Sequence, residues 1–123
     1  MEIAATHNYR CRKEVYDSFR DTVPRSVLMR DMYSAIFDAI IKDNRFQKLI
    51  LKEVAKDIFA TPPAFTWIFI KSFSKKKRKE INRALKILVE DAREGRSPCE
   101  VSMTTIVTTA FRLLAENKYK LAF

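Results

Sequence analysis

Glycine is almost missing from this chain: Gly95 is the only one in 123 residues. Tight hairpins, β-bulges and phosphate-cradling loops draw on glycine for backbone conformations that other residues resist. Its scarcity argues against an all-β fold and against Rossmann or P-loop nucleotide sites. Histidine is equally scarce. His7 is alone, so a Ser–His or Cys–His nucleophilic system would hang on one residue beside the N-terminus. With only Cys11 and Cys99 beside it, a zinc site lacks ligands. Glu90, Asp91 and Glu94 cluster in sequence but sit among Arg93 and Arg96, a solvated pattern unlike the inward-facing carboxylate pairs of hydrolases. These absences predict a protein that is not an enzyme, with no catalytic residues, no metal and no cofactor.

Two cysteines in a chain long enough to build its own core fit free, buried thiols in a reducing compartment. Long apolar runs are also lacking. The longest, Ala64 to Ile70, is far too short to span a bilayer, and no apolar run follows the first eight residues as in a secretory leader. The expectation is a soluble intracellular protein, cytoplasmic or nuclear according to its source, without membrane insertion.

What is abundant is helix-forming: Ala, Leu, Lys, Arg and Glu, with 47% hydrophobic residues. At this length one domain with a real core is expected. The fold class predicted is all-α, a compact single-domain bundle of five or six helices spanning 1–123. Pro24, Pro62–Pro63 and Pro98 divide it into blocks, since proline belongs in first turns and not in helix interiors. A first helix over Asn8–Arg20 would align Cys11, Val15 and Phe19. A second after Pro24 would align Leu28, Met32, Ile36 and Ile40, and Asp43-Asn44 would interrupt it. A third would turn Phe46, Leu49, Ile50, Val54 and Ile58 inward. Residues 64–73 fit a strand by alternation (Phe65, Trp67, Phe69, Phe73) and a helix by spacing. With no second convincing strand to pair with, a short buried helix is preferred.

Ser74 precedes a long helix with Ile81, Leu85, Leu88 and Ala92 inside, closed near Gly95. Ser97-Pro98-Cys99-Glu100 reads as a capping box, and the last helix would bury Met103, Ile106, Val107, Ala110, Phe111 and Leu114. Its β-branched run from Thr104 to Thr109 lowers helix preference, so burial must hold it.

Charge is the feature that speaks to function. The chain carries 24 Lys/Arg against 15 Asp/Glu, a net +9. Thirteen basic and four acidic residues between Lys42 and Lys86 account for the whole excess. Charge concentrated in one third of a small protein creates a directed field that draws polyanions. Within it, Arg45, Lys48, Lys52 and Lys56 recur at spacings of three, four and four, a stripe along one helix flank. The run Lys75, Lys76, Lys77, Arg78, Lys79 is the sharpest local motif, and Arg83 and Lys86 extend it at helical intervals. The pentamer resembles a monopartite nuclear localisation signal and equally the start of a helix that grips phosphates. Five consecutive cations at a helix N-terminus oppose the helix dipole, so they call for full exposure or an anionic partner.

These eleven residues are the candidate nucleic-acid-binding set: Arg45, Lys48, Lys52, Lys56, Lys75, Lys76, Lys77, Arg78, Lys79, Arg83 and Lys86. Base reading needs Arg, Asn or Gln, and only Arg45, Gln47, Asn82 and Arg83 qualify by position. The expected function is therefore a small regulatory or nucleic-acid-binding protein, for DNA or RNA, contacting mainly phosphates. The alternative is an adaptor or inhibitor that docks an acidic protein through the same face or through an aromatic patch around Trp67. A homodimer would suit the aromatics and the apolar tail.

Overall fold

The computed structural model describes residues 9–57, 67–70, 73–94 and 101–121. Among them lie five helices and a two-stranded sheet: β1 (Tyr9–Arg12), α1 (Lys13–Arg20), α2 (Met29–Lys42), α3 (Asn44–Asp57), β2 (Trp67–Ile70), α4 (Lys75–Arg93) and α5 (Met103–Ala115). The architecture is mainly helical but not strictly all-α. The strands pair antiparallel, with Tyr9 opposite Ile70 and Cys11 opposite Ile68.

Two expectations are corrected here. Residues 9–12 are strand where a helix from Asn8 was expected, and 67–70 are strand where a short buried helix was preferred. Alternation decides both. Tyr9, Cys11 and Ile70 point into the core while Arg10 and Phe69 point out, Phe69 being 55% exposed. Each segment alone is too short to be told from a helix turn. Each supplies the partner that the other needs, and they lie more than fifty residues apart.

The helix α5 is the hub. It packs against α1, β1, α3 and α4, and eight of its residues are buried. This includes Thr108 and Thr109, whose hydroxyls meet backbone partners. Thr109 Oγ1 donates to the Thr105 carbonyl at 2.8 Å, and Thr108 Oγ1 accepts the Arg12 amide of β1 at 3.3 Å. Phe111 is fully buried, edge-on to Phe19 at 5.3 Å and tilted against Tyr16 at 5.9 Å.

The remaining helices bury most of the stripes their periodicity announces. These are Met32, Ile36, Phe37 and Ile40 in α2, Phe46, Ile50 and Val54 in α3, and Ile81, Leu85, Leu88 and Ala92 in α4. Leu28, expected at the head of the α2 stripe, precedes the helix and is 56% exposed, and Ile58 lies outside the described residues. Met103, expected inside, is 37% exposed at the first turn of α5.

Helix ends follow local chemistry. Asp43 Oδ1 accepts the Arg45 and Phe46 amides and so caps α3 at the expected interruption. Ser74 Oγ accepts the Lys77 amide and caps α4. Ser102 and Thr105 form a reciprocal capping box at the start of α5. The expected box at Ser97–Glu100 and the Gly95 cap lie outside the described residues, and Val101 and Ser102 are not helical. At the other end of α5, Asn117 takes a left-handed φ of 59°. Lys118 N–H then reaches the Leu113 carbonyl and Asn117 N–H the Leu114 carbonyl, a Schellman closure. That turn docks the C-terminal tail. Tyr119 stacks on Phe46 at 4.2 Å and its hydroxyl donates to Asp43, while Lys118 pairs with Glu53 and Glu116. The Tyr119 bond, joined by the Phe46 and Arg45 amides, holds the Asp43 carboxyl below its ordinary range.

Among the described residues no helix is long and apolar enough to cross a membrane. Cys11 is a free thiol, wholly buried, and burial pushes its pKa up to about 12, against smaller opposing effects of Thr108, Arg12 and Arg112. Burial likewise lifts Tyr9 to about 12, with Arg78 opposing.

Two predictions follow from this packing. Phe111→Ala should destabilise the protein by about 3–5 kcal/mol, read from urea unfolding, because the hub cannot close over the lost ring. A loss below about 1 kcal/mol would deny α5 its central place. The raised Cys11 and Tyr9 values mean that folding holds both groups neutral. Unfolded, they ionise near 9.0 and 10.0, so stability is fully present below pH 9 and is lost as pH rises towards 12. The urea midpoint should begin to fall near pH 9 in the native sequence and about one unit later in Cys11→Ala. A midpoint that begins to fall at the same pH in both proteins would contradict the assignment.

Candidate functional site

Helices α3 and α4 pack side by side, both resting on α5. Their cationic side chains fall on flanks turned away from the core. On α3, Arg45, Lys48 and Lys52 are exposed, on the flank away from Phe46, Ile50 and Val54. On α4, Lys75, Lys79, Arg83 and Lys86 recur at four, four and three residues and are exposed, as is Lys76 beside them. The Lys56 side chain lies outside the described residues.

Between the two helices runs an open groove of about 700 Å³. Lys48 enters it from α3, and Lys76, Lys79 and Arg83 from α4. None of these four forms an ion pair with a carboxylate among the described residues. Two carboxylates, Glu80 and Asp91, share the same walls, so the lining keeps an excess of positive charge. The floor is apolar: Ile41, Leu51, Ala84, Ile87 and Leu88. Ile87 stands 54% exposed there.

The pentamer does not act as a unit. Helical winding distributes its five side chains around the axis. Lys75, Lys76 and Lys79 face solvent, while Lys77 and Arg78 are half-buried. Lys77 Nζ pairs with Asp38 of α2. Arg78 folds back so that its guanidinium donates to the Phe73 carbonyl at 3.0 Å, and its own carbonyl lies 3.4 Å from the Tyr9 hydroxyl. Lys77 thus ties α4 to α2, the Arg78 guanidinium holds the segment that leads into α4, and the Arg78 backbone carbonyl meets β1 through Tyr9. Ser74 supplies the first-turn cap that no acidic residue provides.

Two of the residues suited to base reading are also engaged. The Gln47 amide donates to the Ile40 and Ile41 carbonyls at 2.8 and 3.1 Å, closing the C-terminal end of α2. Asn82 Oδ1 accepts the Tyr9 hydroxyl at 2.7 Å. Trp67 belongs to β2, and its side chain lies outside the described residues. Among the described residues no three of His, Cys, Asp and Glu gather as metal ligands would.

Sequence periodicity did not identify the groove floor. Ile87 falls off the core stripe of α4 and Leu51 off that of α3, and each reads as an isolated surface apolar residue until the helices are placed together. Their signal was present as an apolar residue on an otherwise charged flank. No protein-family model matches the chain, and no match is found among curated proteins or solved structures.

The split of the pentamer is testable by double-mutant cycles in urea. Lys77→Ala combined with Asp38→Ala should show a coupling of about 0.5–1 kcal/mol. Lys76→Ala with Asp38→Ala should be additive to within about 0.3 kcal/mol. Equal coupling in both cycles would contradict the division of labour between these neighbours.

Proposed function

We propose that this protein acts by binding nucleic acid, not by catalysis, and that phosphates are gripped along the outward flanks of α3 and α4. The observation that carries this reading is the meeting of Lys48 from one helix with Lys76, Lys79 and Arg83 from the next around a single groove. Lys52 and Lys86 extend the two stripes on exposed flanks. Cations held by two separate elements and left without carboxylate partners among the described residues match a chain of phosphates better than a single anion. Their spread along several helical turns gives them the reach to follow a backbone.

The reading also fixes the kind of recognition. Gln47 and Asn82 are held by the protein's own hydrogen bonds, which removes two of the few groups able to read base edges. Binding is then dominated by phosphates and released counterions, with little sequence preference. Lys77 and Arg78 support the fold and do not belong to the binding surface. The working set is accordingly Arg45, Lys48, Lys52, Lys75, Lys76, Lys79, Arg83 and Lys86, the candidates with exposed side chains.

Fluorescence titration of labelled DNA and RNA at several salt concentrations tests this. With about six phosphate contacts, affinity should fall roughly 10³-fold between about 50 and 200 mM salt. The triple change Lys76→Ala, Lys79→Ala, Arg83→Ala should lower the log–log slope by about 2–3 without lowering thermal stability. If no nucleic acid binds even at the lowest salt, or if the triple variant binds as the native protein does, the proposal fails.

A further inference from the structure

A surface that only had to hold phosphates would need no apolar channel between its cations. The groove between α3 and α4 has one. Ile41, Leu51, Ala84, Ile87 and Leu88 form its floor beneath Lys48, Lys76, Lys79 and Arg83. Ile87 leaves more than half of its surface in water, an arrangement that favours cover by an apolar ligand face.

Resting on the nucleic-acid reading, we infer that the groove takes single-stranded nucleic acid, with unpaired bases laid on the aliphatic floor and phosphates held at the cationic lip. Three physical points select this occupant. The groove joins an apolar floor to a cationic rim, so its ligand has to offer an apolar face and several negative charges together. Its volume of about 700 Å³ suits ring-sized apolar groups. Bases in a duplex are stacked inward and leave the floor uncovered, whereas an open strand presents its faces beside its phosphates.

Charge complementarity assigns the polar groups of the site to different parts of the strand. The phosphates follow Lys79, Arg83 and Lys86 on the outer flank of α4 and Lys48 and Lys52 on α3. Glu80 and Asp91 line the same groove and can accept hydrogen bonds from the amino groups of bases, a role that repels phosphate and admits adenine, cytosine or guanine edges. The floor is aliphatic, so it gains from area and not from ring stacking. Little preference among bases is expected.

The test compares three labelled probes at one salt concentration: a 20-nucleotide mixed single strand, its duplex, and an abasic strand with the same number of phosphates. The native protein should bind the single strand about tenfold more tightly than the duplex or the abasic strand. Ile87→Ser should remove about fivefold of the single-strand affinity while leaving abasic and duplex binding and the salt slope unchanged. Leu51→Ser should act in the same direction, and thermal melting confirms that each variant folds. Equal affinity for single strand and abasic strand, or no effect of Ile87→Ser, overturns the inference and leaves phosphate binding standing. Failure of every probe to bind removes the functional reading itself. A glutamate-rich amphipathic helical peptide that binds where the single strand does not, and loses affinity in Ile87→Ser, would assign the groove to a protein and overturn the inference.

Discussion

The arrangement of this protein depends on the burial of α5. A helix that begins Met-Thr-Thr-Ile-Val-Thr-Thr has poor intrinsic preference for the conformation, because branching at Cβ restricts side-chain rotamers against the preceding turn. It persists because neighbours surround it and because its buried hydroxyls are satisfied by backbone groups. In exchange it gives α1, β1, α3 and α4 a common surface to rest on. The lateral packing of α3 and α4, and hence the groove between them, follows from their sharing that support.

Helical winding then decides which cations face solvent. Five consecutive basic residues look like a single feature when written as a line, but each step turns about 100° around the axis. Lys77 is carried towards α2 and Asp38, and Arg78 towards Phe73 and Tyr9, so two of the five become structural ties. The remaining three look outward and join Arg83 and Lys86. This also relieves the unfavourable placement of positive charge at a helix N-terminus, since Asp38 approaches from a neighbouring element and Ser74 caps the first turn.

Much of this was legible in the sequence, and the residues show where legibility ends. The core stripes of α2, α3 and α4 recur at helical spacing, and each was readable because a long periodic segment averages out local ambiguity. The Asp43 and Ser74 boundaries were readable for the same local reason: a short polar side chain before an apolar stripe. The sheet was not. Tyr9–Arg12 and Trp67–Ile70 are four residues each, and their pairing is set by tertiary contact between segments far apart in the chain. The Ser102 cap competed with a stronger-looking local pattern at Ser97–Glu100, which hid the start of α5. The basic stripes of the candidate site were visible, but the groove was not, because it belongs to two helices and its floor residues fall off both core stripes.

The central claim is that α3 and α4 meet one ligand together. Lysine acetylation footprinting, read by mass spectrometry with and without a saturating single-stranded oligonucleotide, addresses it residue by residue. Lys48, Lys52, Lys76 and Lys79 should be protected in concert, while Lys13, which lies on α1 and pairs with Asp17, keeps its native reactivity. Protection limited to one of the two helices, or spread evenly over all lysines, would contradict a shared surface.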